Sequence, residues 1–190
     1  MTRSGVFAVG LLVLAMLYGW IARRLPGEYR GSLRPSLLTV AIMWLFCGIH
    51  FALVVLAAAW RTWHFELPGR LAAAAGVALV AIGGAMYLSA TWVFGFKRQS
   101  GLVTTGLVTE GVYRWSRNPI LVGWTFVLVG VGLFRGSAMV LVLAAILAIG
   151  YGASLPLEEE LLGRLYGKAY ERYRRRTHRY FGRPRVAAVE

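Results

Sequence analysis

Long uncharged runs dominate the chain. Five stretches contain no Asp, Glu, Lys or Arg: Ser4–Ala22, Pro35–Trp60, Leu71–Phe96, Asn118–Phe134 and Gly136–Leu157. A helix needs about 20 apolar residues to cross the hydrocarbon core of a bilayer. Four stretches reach that length, and Asn118–Phe134 falls just short. Arg135-Gly136 leaves room only for a tight turn, so the last two stretches read as a hairpin that spans a thinned region or tilts little. The first run carries Arg3 but no small-residue cleavage pattern ahead of Arg23-Arg24, and reads as a retained helix instead of a signal peptide. Near the C-terminus the pattern changes. Leu157, Leu161, Leu162, Leu165, Tyr166, Ala169, Tyr170 and Tyr173 recur at three- and four-residue steps, which is one face of a helix. The expected fold is all-α: a polytopic membrane helix bundle of about five transmembrane helices with a cytoplasmic C-terminal amphipathic helix. A single domain covers 1–190, with three spans in 1–96 and a loop, a helical hairpin and a lid helix in 97–190. The echo of Leu102-Val103-Thr104-Thr105-Gly106 in Leu107-Val108-Thr109-Glu110-Gly111 is a local doubling, not a solenoid repeat.

Composition agrees: 58% of residues are hydrophobic and the mean hydropathy is +0.60. The net charge of +13 is unevenly placed. Counting five spans, Arg23, Arg24, Arg30, Arg34, Lys97, Arg98, Arg114, Arg117 and all nine basic residues from Arg164 to Arg185 share one side. Only Arg3, Arg61, Arg70 and Arg135 lie on the other. The bias puts the N-terminus outside and the C-terminus in the cytoplasm. A polybasic tail beside a span is a contact for anionic lipid headgroups, and nucleic acid is not the expected partner. The Ala-, Gly- and Arg-rich composition looks prokaryotic, which suggests an inner or plasma membrane. Cys47, as the one cysteine, excludes an internal disulfide and a cysteine zinc site, and no metal is expected. His50 lies mid-span with two readings: a functional ionisable group, or a neutral ring hydrogen-bonded across helices. Most tryptophans mark helix ends, as an interfacial belt does. Ala74/Ala78 and Ala81/Ala85 read as small-residue helix-packing pairs.

Two segments carry the candidate chemistry. In Arg117-Asn118-Pro119, Asn suits an N-cap and Pro the first helical position. The unpaired N–H groups of that helix start, beside Arg114 and Arg117, make a site for a carboxylate or phosphate. The second segment opens with Glu158-Glu159-Glu160 and closes in arginines, which suits the dipole of one helix; Glu160–Arg164 and Glu171–Arg175 are spaced as i,i+4 pairs. The bland reading is an interfacial helix resting on lipid. The sharper one is a lid over the Asn118 helix start, with at least one glutamate turned inward.

Taken together, the segments resemble the membrane methyltransferase family of isoprenylcysteine carboxyl methyltransferases and phospholipid N-methyltransferases. That family carries Gly-x-Tyr…Arg-His-Pro-x-Tyr-x-Gly, then a hairpin, then Glu-Glu-x-x-Leu…Phe-Gly-x-x-Tyr-x-x-Tyr…Arg-Val-Pro. Gly111, Tyr113, Arg117, Asn118, Pro119 and Gly123 match the first pattern; Glu158, Glu159, Leu162, Tyr166, Gly167, Tyr170, Tyr173 and Arg176 match the second. The match covers about the last 80 residues. Asn118 stands for the motif His, Leu121 for the motif Tyr, and Thr177-His178 for Val-Pro.

The resemblance implies S-adenosylmethionine as methyl donor, held on the cytoplasmic side, and a lipophilic acceptor arriving from the bilayer. It implies that Gly111, Tyr113, Arg117, Asn118, Pro119, Leu121, Gly123, Glu158, Glu159 and Tyr170 line the cofactor site. Glu159, with Glu158, is expected to bind a polar or cationic part of the cofactor. Arg117, with the Asn118 helix start, is expected to hold a carboxylate, and Arg176 to complete the anion site. The density of arginine leans toward an anionic acceptor, such as the carboxylate of a prenylcysteine-like or other lipid acid. The alternatives are an amine or phospholipid N-methyltransferase, an NADPH-dependent membrane reductase, and a non-catalytic lipid-binding scaffold.

Overall fold

The computed structural model describes residues 2–66, 70–95 and 106–185. Lys97, Arg98 and most of the first half of the Leu-Val-Thr doubling lie outside them. The helices are α1 (Arg3–Gly31), α2 (Leu37–Trp60), α3 (Arg70–Phe94), α4 (Pro119–Arg135), α5 (Ala138–Tyr166) and α6 (Lys168–Arg176), with a 3₁₀ turn at Gly111–Arg114. The described residues form no strand. α1, α2, α3 and α5 are each long and apolar enough to cross a membrane. α4 has 17 residues, about 26 Å at the α-helical rise, shorter than the ~30 Å hydrocarbon core. Outward-facing apolar side chains such as Leu12, Leu71, Leu88 and Trp92 remain exposed, as lipid-facing positions do.

The core joins α1, α2, α4 and α5 through Phe7, Leu14, Leu53, Val54, Leu128, Met139 and Leu143. His50 is buried in it, stacked on Phe46. Its Nε2 lies 3.0 Å from the Leu143 carbonyl, so the ring donates across helices. That is the second of the two sequence readings. At one end, Ser137 Oγ donates to the Ala57 and Thr62 carbonyls, and Arg61 and Arg135 each donate to a backbone carbonyl across the α2 and α4 ends. At the other end, Glu28 of α1 accepts from Ser36 N, Ser36 Oγ, Thr39 Oγ1 and Arg24 Nε, all within 2.9 Å, which fixes the α1–α2 turn.

The small-residue packing face is not the expected one. Ala74, Ala78, Ala81 and Ala85 are exposed, whereas Gly76, Gly83 and Ala90 are buried. Gly83 lies opposite Gly123 and Gly76 opposite Gly130, so α3 and α4 run antiparallel in close backbone contact. The seven-residue spacing keeps one stripe of each helix facing the other over two turns. A Cβ on Gly83 would lie 2.6 Å from the Gly123 carbonyl oxygen, and backbone cannot yield as a side chain can. Gly83→Leu is therefore expected to part α3 from α4 and destabilise the protein by at least about 1–3 kcal/mol, read as a lower thermal midpoint in detergent.

The single amphipathic helix expected over residues 157–173 is two helices. α5 continues past its apolar stretch to Tyr166, and Gly167, at φ 50° and ψ −128°, breaks the chain before α6. Only glycine adopts that conformation readily. With about 20 residues in the bilayer, Ala138–Leu157 spans and Glu158–Tyr166 projects beyond it. The glutamates thus sit late in a long helix, not in the first turn of a short one. Neither expected i,i+4 pair forms among the described residues: Glu160 pairs with Arg30 of α1 at 3.3 Å.

Candidate active site

Pro119 occupies the first turn of α4 and is buried, as the sequence indicates. Asn118 takes the N-cap position, but its side chain caps nothing. Its Nδ2 donates to the Arg179 carbonyl at 2.9 Å. Arg117 points away from the helix start to Glu159, with Nη2–Oε1 at 2.7 Å and both side chains only 11% exposed. Its Nη1 donates to the carbonyls of Thr177, at 2.6 Å, and Arg174, at 3.1 Å. Arg179 completes the cluster with a bidentate hold on Glu159, Nε–Oε1 2.9 Å and Nη2–Oε2 2.6 Å. Burial pushes the Glu159 carboxyl up, but hydrogen bonds from Arg179 and Arg117 outweigh it and hold the group below the ordinary carboxylate range.

A strap formed by Thr177–Arg185 closes over the 3₁₀ turn. Arg117 N donates to the His178 carbonyl and Gly182 N to the Trp115 carbonyl, while Phe181 stacks on Trp115. From α6, the Tyr173 hydroxyl donates to the Tyr113 carbonyl at 2.8 Å. α6 and the strap together cover the turn before α4, where the sequence places one continuous lid helix.

Between α5, α6 and the strap lies a cleft of about 380 Å³, lined by Pro156, Glu159, Glu160, Gly163, Tyr170, Glu171, Arg174 and Arg179. That volume is at the lower end of the range of small-molecule sites. Carboxylates and guanidiniums both line it, so it suits a ligand bearing both signs of charge. Two buried polar atoms beside it, the Tyr170 hydroxyl and Arg117 Nε, have no hydrogen-bond partner. Buried polar groups are seldom left so.

The other expected residues fall in several places. Gly111 opens the 3₁₀ turn, and Tyr113 is buried against Phe94, their ring centroids 5.9 Å apart. Leu121 is buried within α4, and Gly123 packs on Gly83 and Tyr87 of α3, which accounts for its lack of a side chain. Arg176 is exposed; among the described residues its guanidinium has no partner, and its carbonyl accepts from Arg185 N. The arginine on Glu159 is Arg179, three residues further on; the polar, aperiodic strap carried no signal for it. Glu158 parts from Glu159. It is absent from the cleft lining and accepts from the Tyr151 hydroxyl at 3.3 Å. Burial raises its carboxyl to about 7; the Tyr151 hydrogen bond opposes the rise and the Glu159 charge adds to it.

No group of His, Cys, Asp and Glu among the described residues is arranged to hold a metal ion. Neither the curated proteins nor the solved structures hold a match to the chain. A family model described as phospholipid methyltransferase matches residues 71–169, just over half of it. The match takes in the α3–α4 glycine contact, Arg117-Asn118-Pro119 and the glutamates of α5. The chain belongs to the phospholipid methyltransferase family, a family of membrane methyltransferases.

Proposed function

We propose that the protein transfers a methyl group from S-adenosylmethionine to a lipophilic amine at the cytoplasmic face of the membrane, with its N-terminus outside. The carrying observation is the mixed-charge cleft with two unpartnered buried polar atoms at its edge. When bound, S-adenosylmethionine supplies an electrophilic methyl group on a sulfonium. Its amino-acid end bears an ammonium and a carboxylate, which fit Glu160 and Glu171 on one hand and Arg174 on the other. The unpartnered Tyr170 hydroxyl offers a hydrogen bond from the cleft wall, and Glu159 anchors the strap that excludes water from it. For the residues, the task is alignment of donor and acceptor, since an in-line displacement needs little else.

An amine is preferred to a carboxylate because, with Arg174 given to the cofactor carboxylate, the other arginines at the cleft are already engaged. Arg117 serves Glu159 and two carbonyls, and Arg179 holds both Glu159 oxygens. The family description, phospholipid methyltransferase, points the same way. The basic tail remains a contact for anionic headgroups. Membranes containing the protein, given S-adenosylmethionine labelled in its methyl group, are expected to accumulate label in the organic-extractable lipid amines. Label confined to acid-type esters would favour the carboxylate acceptor, and none in lipid would refute the transfer.

A further inference from the structure

The strap is a loop with an aromatic tip and a basic base. Arg185 N donates to the Arg176 carbonyl at 2.9 Å, which closes the base, and Gly182 N ties the tip to the Trp115 carbonyl at 3.0 Å. At the tip Phe181 is 64% exposed, Tyr180 51% and Trp115 43%, although Phe181 and Trp115 stack on each other. Adjoining open rings of this size mark a surface that meets a partner or a membrane. At the base Arg176, Arg183 and Arg185 are exposed, and among the described residues their guanidiniums have no partner. The strap, Thr177–Arg185, contains no acidic residue. Two helices fix the depth of the tip. A Cβ on Gly152 of α5 would lie 3.6 Å from the Tyr180 hydroxyl. Gly152 is about 7.5 Å of helix short of Leu157, where the uncharged stretch of α5 ends. Trp115 stands just ahead of Pro119, which opens α4. The rings therefore lie at the boundary of the hydrocarbon, the level at which Trp and Tyr concentrate.

We propose that the strap is seated on the bilayer and that anionic phospholipid holds it closed over the cleft. Trp115, Tyr180 and Phe181 enter the interfacial layer, and Arg176, Arg183 and Arg185 bind headgroup phosphates. Charge selects the lipid, because basic residues beside a span are drawn to an anionic leaflet. Depth selects lipid over a protein partner, which would have to displace the bilayer edge to reach rings at the level of Gly152. The same loop carries Arg179, which grips Glu159 with two hydrogen bonds and lines the cleft. Whatever fixes the strap fixes that wall. A lipid that binds the closed strap better than the open one shifts the balance toward closure by the difference in affinity. The link to cofactor binding rests on the methyl-transfer reading, whereas the seating of the loop does not.

The test places the full chain in nanodiscs of phosphatidylcholine alone or of an equal mixture of phosphatidylcholine and phosphatidylglycerol. The Gly182 and Arg185 amides are bonded across the loop only while it is closed. Their hydrogen–deuterium exchange is expected to slow at least about tenfold in the anionic discs. S-adenosylhomocysteine should bind there at least about threefold more tightly. The triple variant Arg176→Gln/Arg183→Gln/Arg185→Gln should exchange alike in both discs, at the wild-type rate in phosphatidylcholine. A spin label on Phe181→Cys, in a Cys47→Ser background that removes the one native thiol, should be relaxed more by oxygen than by a water-soluble nickel chelate. Equal wild-type exchange in the two discs, a lipid response that survives in the triple variant, or a label relaxed mainly by nickel would overturn the seating. Slower exchange with unchanged S-adenosylhomocysteine affinity would overturn the link to the cleft. A loop that responds to anionic lipid in a protein binding no adenosyl ligand in either disc would uphold the seating and sink the methyl-transfer reading.

Discussion

Glu159→Gln is expected to abolish cofactor binding and lower stability together. The carboxylate accepts three hydrogen bonds from two guanidiniums, and one of those, Arg117, is almost wholly buried. An amide removes the charge and turns an acceptor into a donor facing a donor. Breaking a buried pair by changing one partner costs about 3–5 kcal/mol. The Arg179 contact adds less, because that side chain is 40% exposed and screened by solvent. Without the anchor, Arg179 leaves the cleft wall and the strap loosens, so S-adenosylhomocysteine affinity should fall by at least about 100-fold, which is ~2.7 kcal/mol. Titration calorimetry with a parallel thermal melt measures both. A variant that melts lower but binds normally would make Glu159 a structural residue only.

Arg117→Ala should release the strap. Arg117 is the hub of α4, α5 and the strap: its guanidinium meets Glu159 and the carbonyls of Thr177 and Arg174, and its backbone N–H meets the His178 carbonyl. Alanine keeps only the last of these. Trypsin cleavage after Arg179 is expected to speed up at least about tenfold, the ratio that about 1.4 kcal/mol of lost docking gives when opening precedes cleavage. An unchanged cleavage pattern would show that backbone bonds alone hold the strap. Acidification should act in the same direction. The folded Glu159 carboxyl lies below its ordinary value, so its stabilisation is complete above the unfolded-state value, about 4.3 for glutamate, and is lost as pH falls through the folded value. An acid-stable protease should therefore find the strap open only at pH below about 4.

Much of this architecture was legible because membrane helices are written in long, uncharged runs. The spans, the tight turn at Gly136 and the return of the two motif segments to one end of the hairpin follow from such runs and from the two motifs; that Arg117 pairs with Glu159 itself does not. Other features are set by single residues that periodicity passes over. Gly167 splits one amphipathic pattern into two helices because apolar residues continue in phase on both sides of it. The α3–α4 contact uses glycines seven apart, Gly76/Gly83 and Gly123/Gly130, while the more conspicuous alanines four apart face outward. The identity of the second arginine on Glu159 depends on the path of the aperiodic strap, which brings Arg179 and not Arg176 to the carboxylate. The divergence of Glu158 from Glu159 was implicit in helical geometry, but which of the two meets the cleft depends on how α5 is rotated against its neighbours.

The most direct test of the central claim is calorimetry of S-adenosylmethionine, S-adenosylhomocysteine and NADPH on the purified protein and on Glu159→Gln. The cleft predicts that both adenosyl ligands bind the wild type, that the variant loses them, and that NADPH does not bind. NADPH binding without the adenosyl ligands would contradict that claim in favour of a reductase, and binding of none of the three would leave a lipid-binding scaffold.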